Sequence, residues 1–297
     1  MQAVRTAAQK TLNQTMSNLG TTYVRSLVGL PVVAVFLAIV MLTVEPKWPT
    51  FSAAYLLNTA AGAASQVVAT MLLIYLFKLR NFAIGSMLIK VDVVMTALVG
   101  TLLFSEVLSW LGVLALLVVT AGVLLMSIGR VGVGKLKAEG QSMTLSEAVF
   151  GLPTLVALAC AFAFTLSYLF LREATLLLQP GNFLWRGGWT VVVATAMQTV
   201  VLGIYILARE PSVFRQIWPQ RRIIGFIGVT SAFGSIAWYT AFAIQNASYV
   251  RAVGQVEVVF TLLISWIYFR ERLSVLELAG IAVTVVGVLL FRLLALG

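Results

Sequence analysis

The sequence predicts an all-α integral membrane protein, an inverted-repeat bundle of transmembrane helices. Three observations carry that prediction: scarce charge, apolar runs of membrane-spanning length, and two halves that match at one fixed offset. Of 297 residues, 61% are hydrophobic and only 10% charged, with a mean hydropathy of +1.01. A soluble domain runs nearer half apolar and a quarter charged. So few charges cannot cover a water-facing surface, and the remaining solvent is lipid.

A helix needs about 20 apolar residues to cross the hydrocarbon core, where only helices and closed barrels satisfy their backbone. Runs of that length give nine visible spans. The first half supplies Val24–Val44, Tyr55–Phe77, Phe82–Phe104 and Leu108–Met126. The second supplies Val149–Leu171, Phe183–Leu207, Ile223–Ile244, Ala247–Phe269 and Val275–Leu294. Only the polar triplet Leu79-Arg80-Asn81 separates the second span from the third. The longest polar gap, Ser127–Ala148, contains Arg130-Val-Gly-Val-Gly-Lys135. That run does not fit the GxxxxGK[ST] spacing of a phosphate-binding loop and follows no strand, so it reads as a linker between halves.

The halves align without a gap. Val91-Asp92-Val93-Val94 faces Val256-Glu257-Val258-Val259, and Thr96 faces Thr261. The register continues with Phe104, Glu106 and Leu108-Ser109 on Phe269, Glu271 and Leu273-Ser274, and ends with Gly122-Val-Leu-Leu125 on Gly287-Val-Leu-Leu290. Apolar helices match in composition by chance, but polar residues at one offset of 165, the separation of Asp92 and Glu257, do not. The division is therefore residues 1–126 as an incomplete first repeat of four helices, 127–148 as linker, and 149–297 as a second repeat of five. Repeats with odd helix numbers insert with opposite topology, which suits alternating access. Nothing apolar precedes the first span to pair with Val149–Leu171, so the expected architecture is 5+5 with the first helix missing.

Charge excludes several function classes. Net charge is +10, but the basic residues fall in short gaps between apolar runs and form no groove-reading stripe, which argues against nucleic acid as a partner. Lysine and arginine concentrate on the cytoplasmic side of short loops, and their distribution here places the N-terminus in the cytoplasm and the C-terminus outside. There is no histidine and one cysteine, Cys160, which removes most metal and acid–base chemistry and any intrachain disulfide. No metal site and no cofactor are expected. Cys160 reads as a small buried hydrophobe.

On these residues the chain resembles the ten-helix EamA-type family of the drug/metabolite transporter superfamily. The resemblance covers about Arg5 to the end and is clearest in both copies of the acidic-Val-Val…Glu…Leu-Ser…Gly-Val-Leu-Leu pattern. It implies two inverted five-helix repeats around a central cavity, and export of metabolites, amino acids or drugs across the bacterial inner membrane. Members of the family commonly carry a proline after the acidic residue. Here Val93 and Val258 stand there, so straighter helices are expected. The family also places both termini in the cytoplasm, against the charge count for this chain.

Charges at membrane depth are costly and mark functional candidates. Lys90 and Asp92 lie near the middle of the third span, Glu257 near the middle of the eighth, with Arg251 and Gln255 before it. Residues two apart lie about 200° around a helix. Asp92 then shares a face with Thr96 and Glu257 with Thr261, while Lys90, Gln255 and Arg251 share another. Asp92 or Glu257 would take a proton or a cationic group, and Lys90 or Arg251 a carboxylate. The competing reading is an acid–base pair that locks two helices. On the seventh span Trp238 and Phe242 are four apart, beside Ser231, Gly234 and Ser235. This is a notch for an apolar or aromatic substrate or a close helix contact. Ser65 and Gln66 occupy the corresponding region of the first half. Glu106 and Glu271 end helices at the membrane edge and read as structural.

The function expected is a secondary active transporter of small molecules, an exporter working by alternating access with protons as the coupling ion. Its partners are the lipid bilayer and a small-molecule substrate. The alternatives are a non-transporting membrane partner or truncated remnant and, behind it, an intramembrane transferase, which lacks a nucleophile–base or metal constellation.

Overall fold

The computed structural model describes Ala8, Leu12 and residues 15–76, 89–131, 151–269 and 274–294. At 130, 131, 153, 261, 264, 265, 268, 269 and 292–294 it describes the backbone only. Among these residues there are eleven α-helices, one 3-10 turn and no strand. They are α1 (Asn18–Thr43), α2 (Ala53–Leu76), the 3-10 turn Ile89–Val91, α3 (Asp92–Leu103), α4 (Trp110–Val131), α5 (Leu152–Leu176) and α6 (Phe183–Arg209). There follow α7 (Ser212–Ile217), α8 (Arg221–Ile244), α9 (Ala247–Gly254), α10 (Val256–Phe269) and α11 (Val275–Leu294).

Six of these helices are long and apolar enough to cross a membrane, and Val275–Phe291 is a shorter apolar helix. Large side chains face outward, with Leu42 85% and Leu102 78% exposed, so the outer surface is apolar, as lipid demands. Hydroxyls inside the spans satisfy themselves locally. Thr22, Thr59, Thr120 and Thr190 each donate to the carbonyl one turn earlier, at 2.8–2.9 Å. In water that bond competes with helix formation; in lipid it hides a polar group.

One expected span is interrupted, and another opens with a 3-10 turn. The segment expected as one helix over Phe82–Phe104 is described from residue 89, as a 3-10 turn followed by α3. Ala247–Phe269 is divided at Gln255 into α9 and α10. Around Glu257 the straighter helix expected from the missing proline is therefore not found. The 3-10 turn and the break fall at repeat-equivalent places, since Lys90 and Gln255 are 165 apart. The sequence also gave no sign of the short α7, and the linker expected from Ser127 begins as helix through Val131. Arg130-Val-Gly-Val-Gly-Lys135 beyond that point, Glu271 and Leu79-Arg80-Asn81 lie outside the described residues.

The chain divides into two compact units: residues 1–77 with 166–245, and 78–165 with 246–297. In the first, α1 packs along α6 and α8, and α6 packs against α8 and α2. Its core runs from Tyr23, Val24, Leu202 and Ile206 to Leu37, Tyr55, Trp185 and Trp189. Arg186 is buried and donates from Nη2 to the Ala243 carbonyl at 2.8 Å, closing the C-terminal end of α8.

In the second unit α4 and α11 make the most extensive pairing. Added Cβ atoms at Gly122 and Gly280 would lie 2.9 and 2.6 Å from each other's carbonyl oxygen, so the backbones touch where only hydrogen fits. The aligned Gly122 and Gly287 both lie on this contact, the latter against Val119. The aligned serines are helix caps: Ser109 Oγ accepts from Gly112 N at 3.1 Å. Ser274 Oγ accepts from Glu277 N at 3.2 Å while Glu277 Oε2 accepts from Ser274 N at 2.7 Å, a capping box. Much of the repeated pattern is thus architectural.

Candidate functional site

Among the described residues, the second unit buries a charge pair where α3 begins and α9 ends. Asp92 opens α3 directly after the 3-10 turn and is 1% exposed. Arg251, in the last turn of α9, donates from Nη2 to Asp92 Oδ2 at 2.5 Å. Gln255, buried in the break between α9 and α10, reaches Asp92 Oδ1 with Nε2 at 3.5 Å. Arg251 and Gln255 are one helical turn apart, so the face expected to carry base and amide meets one carboxylate. Thr96 sits one turn below but donates to the Asp92 backbone carbonyl, at 2.6 Å. Its hydroxyl is also 3.2 Å from that of Thr165, which reaches the same carbonyl at 3.3 Å. Side-chain hydroxyls therefore hold the carbonyl at the start of α3, and the carboxylate is left to Arg251 and Gln255. The Gln255 Oε1 accepts no hydrogen bond among the described residues.

The break is anchored from the α9 end. Ser105, at φ 53°, turns the chain out of α3, and the next residue, Glu106, tucks beneath α9. Glu106 Oε1 accepts from Ala247 N at 2.7 Å, and Oε2 accepts from Ser248 Oγ at 2.7 Å. A buried carboxylate thereby covers the first amides of α9, as an anion at a helix N-terminus should. Glu106 is structural, as expected.

The other candidates of this unit are less enclosed. Lys90 is half-buried in the 3-10 turn, so the α-helical face assigned to it does not exist. Glu257 is half-buried in the first turn of α10. The Thr261 side chain lies outside the described residues. Cys160 is fully buried.

The first unit holds a polar cavity of about 20 Å³ among α1, α2, α6 and α8. Gln66, Ser231 and Ser235 line it, with Arg25, Thr195 and Gln198. Gln198 Nε2 donates to Gln66 Oε1 at 2.8 Å and to the Ala63 carbonyl at 3.1 Å. Trp238 and Phe242 continue the α8 stripe away from Ser231 and Ser235, and their rings stack at 5.9 Å. Phe242 is buried against Tyr168, so these aromatics form packed core here. Ser65 is half-buried and makes no hydrogen bond among the described residues. No metal-binding group of histidine, cysteine or carboxylate occurs among the described residues.

Residues 151–293 match the EamA-like transporter family. The EamA-like segment starts at the beginning of α5 and reaches nearly to the end of α11, and the family lies within the drug/metabolite transporter superfamily. The chain is a multi-pass integral membrane protein whose second half matches a transporter family. No curated protein matches it. A solved structure described only as the crystal structure of a protein aligns over 99% of this chain and 92% of its own, with a TM-score of 0.68. At 16% identity that likeness concerns the fold alone.

Sequence reasoning missed Arg25, Thr165, Thr195 and Gln198 as site residues. Gln198, in the EamA-like segment, was legible, being an amide near the middle of a 27-residue apolar helix. Thr165 and Thr195 carry no such signal, because threonine in a span is ordinarily satisfied by its own backbone.

Proposed function

We propose that this protein is a secondary active transporter that exports small molecules by alternating access and uses protons as its coupling ion. The observation that carries the reading is a helix broken at Gln255 and a 3-10 turn opening α3 at the repeat-equivalent place, with Asp92, Arg251 and Gln255 gathered there. Discontinuous helices near the bilayer midplane form the substrate and ion sites of inverted-repeat transporters. A charge pair held there costs desolvation that packing with apolar residues would avoid. Function gives it a reason to persist.

In the state described, Asp92 is the carboxylate and Arg251 its counter-ion. A proton delivered to Asp92 would cancel the pair, leaving Arg251 and Gln255 to hold an acceptor group of the substrate. Loss of the proton to the other side would restore the pair and expel the substrate. Glu257, at the equivalent place in the second repeat, is a second proton carrier in this scheme. We further assign residues 1–126 and 149–297 as the two inverted repeats and the bacterial inner membrane as the location. Charge bias then puts the N-terminus inside and the C-terminus outside.

The test is proteoliposomes carrying an internal pH indicator, with an imposed proton gradient and a panel of amino acids, metabolites and hydrophobic cations. A substrate in the panel should dissipate the gradient, and Asp92→Asn should abolish that flux while the purified protein remains folded. Full flux in both Asp92→Asn and Glu257→Gln would remove proton coupling from the reading. No flux with any compound would favour a non-transporting membrane partner.

A further inference from the structure

We infer that the polar cavity of the first unit is a binding site for a compact monoanion, a halide ion or the carboxylate of a small organic acid. It is separate from the charge pair of the second unit, and the inference stands whether or not the protein transports.

The first argument is depth and place. Gln66 and Gln198 lie about 15–23 Å from the ends of α2 and α6, at 1.5 Å per residue. Both amides therefore sit in the low-dielectric middle of the membrane, where an amide is costly unless it has work or partners. Two repeat-equivalent pairs at the 165-residue offset, Gln66 with Ser231 and Val33 with Gln198, all line the cavity. The cavity therefore straddles the relation between the repeats, where transporters of this construction place ligands.

The second argument is charge and hydrogen-bond polarity. Arg25 is the one charged residue lining the cavity, and no carboxylate lines it. The acids of this unit, Glu45, Glu173 and Glu210, stand near or beyond helix ends. The bonds made by Gln198 fix the Gln66 carbonyl as an acceptor, which leaves the Gln66 NH2 as that side chain's other polar end. Among the described residues it donates no hydrogen bond. Ser231 Oγ is buried in a residue 5% exposed and has no partner among the described residues. A guanidinium, an amide NH2 and a hydroxyl thus border one small space, a donor-rich set suited to an anionic acceptor. At about 20 Å³ the space takes one water-sized group. A halide or one end of a carboxylate fits, and a phosphate or larger anion does not.

The measurement is thermal unfolding of the detergent-purified full chain in sodium sulfate, titrated with sodium chloride or sodium acetate at constant ionic strength. A specific anion should raise the unfolding temperature saturably. A rise with chloride alone identifies a halide site, and a rise with acetate identifies a carboxylate site. Ser231→Ala and Gln66→Leu should each weaken the apparent Kd about tenfold, the worth of one hydrogen bond to a charged group. Arg25→Gln should abolish the response, and should it not purify folded, the other two variants decide. Asp92→Asn should retain the response, because Asp92 belongs to the other unit. No saturable rise with either anion, or equal rises in wild type, Ser231→Ala and Gln66→Leu, would overturn the inference.

Discussion

The two units solve the same problem, hiding polar groups in lipid, in different ways. The first uses long unbroken helices and neutral amides and hydroxyls, with Arg25 as the cation of its cavity. The second breaks one helix at Gln255, opens another with a 3-10 turn, and buries a carboxylate against an arginine. The contrast is sharpest at the repeat-equivalent acids. Asp92 is enclosed and paired with Arg251, whereas Glu257 is half-buried. The offset that relates the acids relates Arg251 to Ser86, so the first repeat offers a serine where the second offers the arginine that meets Asp92. The duplicated motif has kept its acids but not the residues around them, and the two acids differ in burial.

That comparison can be broken by mutation. The largest effect is expected for Arg251→Met, which leaves the Asp92 charge buried and unpaired at a cost of about 3–5 kcal/mol. Combining it with Asp92→Asn should recover most of the loss, and Glu257→Gln alone should cost under about 1 kcal/mol. Reversible unfolding in mixed micelles would measure all three, and equal losses at Asp92 and Glu257 would end the contrast. Next comes Gly122→Ala, whose new methyl would sit 2.4–2.6 Å from Thr284. Overpacking of this kind costs about 1–3 kcal/mol. Glu106→Ala should follow at about 1–2 kcal/mol through loss of the α9 cap, with protease sensitivity appearing at Ala247–Gly254. The smallest effect has the opposite sign. Gly225→Ala, in the first unit, meets nothing within 4 Å and should stabilise α8 by about 0.5–1 kcal/mol.

Hydrophobic length gave the spans because a membrane helix must be apolar along its whole course, and that signal needs no tertiary knowledge. Span boundaries were legible for α6 and α8 to within two residues at each end, since Asn182 and the arginines at 221 and 222 mark the changes of solvent. The 3-10 turn at Lys90 and the break at Gln255 were not. Neither has a proline or a run of glycines to announce it. The site was half legible. Charge at membrane depth named Asp92 and Arg251 as candidates, and the i+4 relation put Arg251 and Gln255 on one face. Their meeting with Asp92, rather than Lys90 doing so, is set by packing between α3 and α9. The capping box Ser274-Val-Leu-Glu277 went unread, although Ser-x-x-Glu ahead of an apolar run is its signature.

The contact between α4 and α11 also has a consequence for biosynthesis. About 145 residues separate the end of α4 from the start of α11. At a synthesis rate of about 5–20 residues per second, α4 waits roughly 7–30 seconds in the bilayer before its partner is made. During that interval the groove at Gly122 must be filled by lipid or by another helix. Assembly of the second unit is therefore timed by the ribosome, and a chain stalled before Gly280 would leave that groove open to whatever the membrane offers.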